Sequence, residues 1–367
     1  MLDLLIGLAI ISAIVAFLAF LLEVADRYLA DYGERHVLIN EERDLKVTGG
    51  RSLLFTLADE GVFLPSACGG KGTCAYCKVQ VMEGGGQVLP TETPYLTLNE
   101  LSQHVRLACQ LKVKEDLKVQ VPDELFLVKE FRVRVEQIKK FTPDINFVSF
   151  RILSPAEGIS FRAGQYVQLE VPKYELTAEP EFRAYSIASP PAEEHELGLL
   201  ITRVPEGVVS TYVHEYLKEG DELTLRGPFG EFCLRESERE LLMIATGSGL
   251  APIRSMLNQI KQGGSAKKVT LFFGDRRPED LLCYDEMLEF ERTMANFTYV
   301  PTLSRTTEQD DWSGEKGRVT DLIKKYIPDN PPLDAYICGI PAMVHSCHDL
   351  LIKKGLPPER ICFDKFE

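Results

Sequence analysis

The chain has 367 residues, 45% of them hydrophobic and 26% charged, which suits two or three folded domains and excludes wholesale disorder. Its 41 basic and 55 acidic residues leave a net charge of −14, which argues against a binder of nucleic acid or of an anionic membrane surface. Nine cysteines are too sparse for a disulfide scaffold and odd in number, so they read as reduced thiols or metal ligands in a reducing compartment.

The first element is apolar throughout. From Leu4 to Leu22 there is no charged residue and no proline. As a helix rising ~1.5 Å per residue, that run spans about 28 Å, close to the hydrocarbon thickness of a bilayer. A cleaved signal peptide would open with Lys or Arg and close with a small-residue site. Here the early charge is Asp3, and no such site precedes Glu23. Residues 1–22 are therefore predicted as an uncleaved transmembrane anchor, with a signal peptide or a detergent-soluble helix as the alternatives. Arg27 and Arg35 follow the run and no basic residue precedes it, which places the bulk of a single-pass chain in the cytoplasm. Residues 23–36 read as a polar, helical stalk.

The next segment, residues 37–123, opens with two short strands around a turn (HVLINEERDLKVTGG). A helix capped by Ser52 and ended by Gly61 follows. The loop SACGGKGTCAYC then presents Cys68, Cys74 and Cys77, a strand (KVQV) follows, and Cys109 sits in VRLAC before a final alternating strand (DLKVQV). The spacing is C-x5-C-x2-C-x31-C. Four thiolates suit the irons of a two-iron, two-sulfur cluster, and Gly69, Gly70 and Gly72 let the backbone turn amides toward anionic sulfur. Structural zinc usually takes two paired knuckles, of which one is present, and it stands as the alternative. The segment resembles the β-grasp ferredoxins. The plant-type spacing is C-x4-C-x2-C; the extra residue here matches vertebrate-type ferredoxins and certain membrane-bound reductases. The resemblance implies Cys68, Cys74, Cys77 and Cys109 as the ligands of a 2Fe-2S cluster.

Residues 128–235 read as short strands with Gly and Pro punctuation: FRVRVEQI, INFVSFRIL, YVQLEV, FRAYSIAS, LGLLITRV and ELTLRG. That rhythm predicts an antiparallel barrel. Two motifs stand inside it: Arg183-Ala184-Tyr185-Ser186, and a glycine turn from Gly207 to Ser210 leading into a helix predicted to begin near Thr211. R-x-Y-S followed by G-x-x-S resembles the FAD-binding domain of the ferredoxin–NADP reductase superfamily. The resemblance implies that Arg183 holds the pyrophosphate, Tyr185 packs on the flavin and Ser186 contacts flavin N5. It also implies that Gly207, Val208, Val209 and Ser210 present amides to phosphate. By itself R-A-Y-S fits any edge strand. GPFGEF, Gly227 to Phe232, is a further family turn, or simply a joint between domains.

Residues 238–367 alternate strands and helices, which implies a parallel sheet. The run ELLMIATGSGLAPIRSMLNQIK is a buried strand, a glycine turn and a helix. The turn lacks the third glycine of the G-x-G-x-x-G fingerprint. Gly247 and Gly249 leave room for a pyrophosphate, and Pro252 occupies the first helical turn, where its missing N–H costs little. The variant resembles the NAD(P) domain of the same superfamily. Asp275, at the end of the second strand, suits a ribose 2′-hydroxyl, whereas Arg276 and Arg277 would suit a 2′-phosphate. The G-x-R-x-x-x-D-L pattern resembles NADH-using reductases and favours NADH. Cys338-Gly339 resembles the C-G-P motif that faces the nicotinamide, with a buried core thiol as the plain alternative for Cys338. Phe366 matches a C-terminal aromatic that covers the flavin in relatives; otherwise it belongs to a loose tail. Cys233, Cys283, Cys347 and Cys362 read as packing thiols.

The predicted architecture is thus multidomain: an N-terminal transmembrane helix, a β-grasp 2Fe-2S ferredoxin domain, an antiparallel β-barrel FAD domain and an α/β parallel-sheet NAD-binding domain. Together with L-P-T-E (Leu89 to Glu92), GPFGEF and the cysteine spacing, that order resembles the NADH-oxidising F subunits of sodium-translocating NADH:quinone oxidoreductases. Three features depart from that family: a shorter segment before Arg183, C-G-I-P in place of C-G-P-P, and a D-K-F-E ending. The resemblance implies an inner-membrane electron-input subunit taking electrons from NADH through FAD and 2Fe-2S to other membrane subunits and, indirectly, quinone. Ser186, Cys338 and Phe366 would stand at the reacting end. One helix forms no ion pathway, so sodium transport would reside in partner subunits. A membrane-tethered NADH-dependent reductase of a multicomponent oxygenase, and a subunit that has lost catalysis, are the competing readings.

Overall fold

The computed structural model describes residues 2–29 and 32–365, leaving aside the side chains of 2–5, 8, 9 and 22–29. Helix α1 (Leu2–Leu29) covers the apolar run and half of the predicted stalk, 23–36, whose last three residues begin a strand instead of continuing a helix. Every described side chain from Ile10 to Leu21 is exposed, Phe17 and Phe20 at 60% each, so the helix has no core of its own to face. Among the described residues no helix is long and apolar enough to cross a membrane.

The chain, α1 included, forms two compact units, residues 1–66 with 70–127, and residues 128–367 with 67–69. In the first, β1 (Glu34–Ile39), β2 (Arg43–Thr48), α2 (Leu53–Asp59), β3 (Lys78–Glu83), α3 (Leu98–Ser102), β4 (Val105–Leu107) and β5 (Leu117–Gln120) follow in order. The sheet order is β2-β1-β5-β3-β4, with β1 and β5 parallel and the other pairs antiparallel. This is the β-grasp arrangement. The alternating strands bury Val37, Ile39, Val79, Val81, Leu117 and Val119, and α2 adds Leu53, Leu54 and Leu57 to the same core. Ser52 does stand at the start of α2, but its hydroxyl makes no capping bond and is buried without a partner. A capping box does form at α3: the Thr97 hydroxyl accepts from the Glu100 amide while the Glu100 carboxylate accepts from the Thr97 amide.

The second unit holds two sheets. Its first comprises β6 (Lys129–Lys140), β7 (Ile145–Ser154), β8 (Tyr166–Val171), β9 (Glu181–Ser186), β10 (Glu196–Thr202), α4 (Val208–Glu215) and β11 (Glu222–Phe229). The strands run β10-β7-β6-β11-β8-β9, all pairs antiparallel, and a bridge between Ile187 and Leu199 closes the two ends into a barrel. Period-two burial explains it: β6 turns Phe131, Val133 and Val135 inward and leaves its charged residues outside. Helix α4 starts at Val208, three residues before the predicted Thr211, because Gly207 already takes the extended N-cap conformation. Gly227 to Phe229 extend β11 rather than forming the predicted turn.

The second sheet is built from β12 (Glu240–Thr246), α5 (Leu250–Gln262), β13 (Val269–Asp275), α6 (Tyr284–Thr293), β14 (Phe297–Leu303), β15 (Glu315–Lys316), α7 (Val319–Tyr326), β16 (Leu333–Gly339), α8 (Pro341–Lys353) and β17 (Ile361–Lys365). Its order is β15-β14-β13-β12-β16-β17, all parallel. Every residue of β16 is buried, as a central strand covered on both faces requires. The order reverses direction between β12 and β16, and the carboxyl ends of those two strands define the ligand crevice of open α/β sheets.

Candidate cofactor sites

Cys74, Cys77 and Cys109 are buried in the β-grasp unit and Cys68 is half-buried. The loop between α2 and β3 is possible only with unusual backbone. Gly70 has φ +84° and Gly72 φ +80°, and a side chain at Gly72 would begin 2.6 Å from the Gln110 amide nitrogen. The Ala108 amide donates to the Cys77 carbonyl at 2.8 Å, tying the end of β4 to the start of β3. A hydrogen bond with the Cys109 thiol, burial, and repulsion by Cys109 and Cys74 together push the Cys77 thiol far above its ordinary range. Sulfurs crowded in this way become thiolates when metal cations compensate them. Among the described residues no three His, Cys, Asp or Glu side chains gather closely enough to hold a single ion. A diiron cluster asks for less, because its thiolates divide between two irons, and the Cys77–Cys109 contact has that pairwise form. The donor set therefore fits the group.

In the barrel, β9 carries Arg183 and Tyr185 on one face and turns Ser186 inward, 6% exposed. The Arg183 guanidinium donates to the Glu181 carboxylate at 3.0 Å and to the Phe182 carbonyl at 2.6 Å. Burial pushes the Tyr185 phenol up, partly offset by Arg183. At the head of α4, the Ser210 hydroxyl accepts from the Val204 amide at 3.1 Å and donates to the Gly207 carbonyl at 3.2 Å. It braces the turn instead of pointing outward. The amides of Val208, Val209 and Ser210 head the helix, where no helical carbonyl precedes them. A side chain at Gly207 would begin 2.6 Å from the Ser210 hydroxyl oxygen, so that position stays glycine.

In the parallel sheet, the Gly247–Gly249 turn lies where β12 meets β16. A Cβ on Gly249 would stand 2.4 Å from the Cys338 carbonyl oxygen. Gly339 has φ +147°, and a Cβ there would stand 2.5 Å from the Thr246 hydroxyl, which is buried without a partner. Pro252 is buried at the third position of α5. Cys338 is fully buried, and burial with the nearby Asp364 carboxylate pushes its thiol well up, so this sulfur is a neutral thiol. Asp275 ends β13. Burial first, then Asp280 and Asp144, raise its carboxyl to about 7, against a lowering bond from the Arg276 amide. Arg276 is exposed. Phe366 lies outside the described residues.

Contacts that no local pattern announces join the barrel to α5. The Arg254 guanidinium donates to the Ala188 carbonyl at 2.7 Å and to Glu286 at 2.8 Å; the Ser255 hydroxyl donates to the Ser189 carbonyl at 2.7 Å. The Thr202 hydroxyl meets that of Ser248, within the glycine turn, at 2.8 Å. Residues 188 and 189, just past the end of β9, and the Gly247–Gly249 turn are thereby fastened to the same seam.

A thiol-rich β-grasp loop, an antiparallel barrel with a glycine turn at the head of α4, and a parallel sheet with a crevice at the carboxyl ends of β12 and β16 define an iron–sulfur flavin reductase of nicotinamide nucleotides. Family descriptions agree: a 2Fe-2S iron-sulfur cluster binding domain matches residues 37–114, an oxidoreductase FAD-binding domain residues 132–233, and an oxidoreductase NAD-binding domain residues 243–349. The chain belongs to the family of the F subunits of Na(+)-translocating NADH-quinone reductases. It is 35% identical to the F subunit of Methylococcus capsulatus over 407 aligned positions covering all of both chains, and 33% identical to that of Klebsiella pneumoniae over 99% of each. The alignment is longer than this chain of 367 residues, so part of the relative has no counterpart here. Among solved structures, the chain is similar to the Amycolatopsis cytochrome P450 reductase GcoB (27% identity, TM-score 0.73, 90% of this chain and 98% of that one). It is also similar to the ferredoxin reductase in carbazole 1,9a-dioxygenase (26%, TM-score 0.69, 91% and 98%).

Proposed function

We propose that this protein is the electron-input subunit of a membrane-bound, sodium-translocating NADH:quinone oxidoreductase, oxidising NADH and supplying a membrane partner. The observation that carries the reading is end-to-end similarity to the F subunits of such enzymes, with the iron–sulfur, flavin and nucleotide domains in one order along one chain. FAD would supply the exchange between a two-electron donor and one-electron acceptors, and the 2Fe-2S cluster a one-electron exit.

The residues divide that work. Cys68, Cys74, Cys77 and Cys109 hold the cluster. Arg183 and the amides of Val208, Val209 and Ser210 would hold the FAD pyrophosphate, with Gly207 shaping the turn while its own amide donates to the Val204 carbonyl at 3.0 Å; Arg183, now paired with Glu181, has the fork geometry that suits phosphate. Tyr185 packs against the flavin and Ser186 stands at its reacting edge. Gly247, Gly249 and Pro252 would seat the nicotinamide nucleotide, Asp275 would accept from the ribose 2′-hydroxyl with Arg276 beside it, and Cys338 and Gly339 would line the nicotinamide end.

The membrane anchor is the uncharged run Leu4–Leu22, longer than the stretch of α1 whose side chains are described, with the domains on the cytoplasmic side. An apolar helix exposed on every described face from Ile10 to Leu21 is stable in lipid or against other apolar helices and costly in water. The likeness to a cytochrome P450 reductase and to the ferredoxin reductase in carbazole 1,9a-dioxygenase supports the second reading, a tethered reductase of an oxygenase. Mixing NADH with the purified full chain tests the first: flavin absorbance bleaches and a reduced-cluster EPR signal follows. Absence of either sinks it, and co-purification from membranes with an oxygenase instead of a respiratory complex selects the second.

A further inference from the structure

Residues 172–180, which join β8 to β9, fold back along α4 as a strap. Tyr174 and Thr177 exchange backbone hydrogen bonds, the Tyr174 amide donating at 3.2 Å and the Thr177 amide at 3.0 Å, so the strap makes a tight loop. The Tyr174 hydroxyl donates to the carbonyl of Val208, the first residue of α4, at 2.5 Å. At the other end, the hydroxyl of Tyr216, the C-cap of α4, donates to the Glu175 carboxylate. Between these bonds the Tyr174 ring meets Tyr212 edge-on at 5.3 Å and Tyr216 at 5.1 Å. One short loop therefore grips both ends of an eight-residue helix.

The gripped end is the one that matters for binding. The turn before α4 is held in an unfavourable backbone state, with Glu206 at φ +59°, and its internal brace is the Ser210 hydroxyl. A short helix is marginal without tertiary support, and its first amides must be aimed before an anion arrives if binding is not to include the cost of ordering them. We infer that Tyr174 is a positioning residue for the FAD pyrophosphate: through the Val208 carbonyl it sets the direction of the amides at residues 208–210. The inference rests on the FAD site proposed above.

Tyr174→Phe isolates it, because the ring and its stacking stay and the hydroxyl goes. The full-length protein is stripped of flavin and titrated with FAD, following quenching of flavin fluorescence, and the melting temperature of the apoprotein is recorded alongside. Tyr174→Phe raises the FAD Kd by roughly threefold to tenfold, the worth of one hydrogen bond, with the apoprotein melting temperature little changed. Tyr216→Phe, which frees the far end of the strap, moves the Kd in the same direction by less. An unchanged Kd, with or without a lower melting temperature, makes the strap a stabilising device only and overturns the inference. Arg183→Ala separates the two levels. If it abolishes tight FAD binding while Tyr174→Phe does nothing, the inference alone fails; if it too leaves the Kd unchanged, the FAD site reading fails and the inference with it.

Discussion

Glu92 and Arg106 form an ion pair sealed inside the β-grasp unit, 0% and 4% exposed, with the closest oxygen and nitrogen 2.6 Å apart. The carboxylate also accepts from the amides of Leu89 and Leu107, each at 2.9 Å, and the guanidinium reaches the carbonyl of Gly85 at 2.5 Å. Burial pushes the Glu92 carboxyl up, but Arg106 and the two amides outweigh it and hold the group below the usual carboxylate range. Three segments meet at this pair, and one of them is the strand that ends two residues before Cys109.

Removing one partner strands the other charge without water. Glu92→Gln should therefore lower stability by about 3–5 kcal/mol, whereas replacing both residues by apolar ones of similar volume should cost far less. The measurement is the urea midpoint at which the iron–sulfur absorbance is lost. Equal midpoints for the single and double variants would contradict the argument.

Each of Cys68→Ser, Cys74→Ser, Cys77→Ser and Cys109→Ser should abolish or degrade the cluster, because a hydroxyl is a poor soft-metal ligand. Iron content and the EPR signal should fall while bound FAD stays near one per chain. A variant that keeps full iron removes that cysteine from the ligand set.

Gly249→Ala should raise the KM for NADH at least tenfold and leave FAD content unchanged. The added methyl lies 2.4 Å from the Cys338 carbonyl oxygen, so the turn must retreat from β16. Steady-state kinetics with a soluble acceptor checks this.

Asp275, with its carboxyl raised to about 7, gives a pH dependence of definite sign. The free folded protein holds a proton here that the unfolded chain has released, so this group's contribution to stability is full at acid pH and is lost as pH rises through about 7. Nucleotide binding runs the other way, because the ionised carboxylate is the stronger acceptor for a ribose hydroxyl. The KM for NADH should fall between pH 6 and pH 8, and Asp275→Asn should flatten that profile and narrow the preference over NADPH. A wild-type KM that ignores pH across the range would count against the assignment.

Much of this fold is legible in the sequence because its signals are local. Alternation in KVQV and FRVRV, the near-continuous apolar run of LLMIAT and the glycine turn after it follow from which faces are covered. Helix ends are less legible. The structure moves the start of α4 back to Val208 and leaves the Ser52 hydroxyl without its expected bond. The contacts that hold the sites are least legible. Arg254 to Ala188, Thr202 to Ser248 and Tyr174 to Val208 each join residues dozens of positions apart, and no periodicity encodes them. Glu92 stands out within L-P-T-E, but its partner Arg106 is fourteen positions away and is named only once β4 lies beside it.

The one-way run of the strands from β12 to β17 has a practical corollary. Every residue proposed to touch nucleotide sits at one rim of that sheet, and the loops at 237–239 and 264–268 enter it from the other, a strand of seven residues or about 20 Å away. A fluorescent or spin reporter attached there would ride on a rigid body without obstructing the substrate, making that rim a convenient vantage for watching turnover.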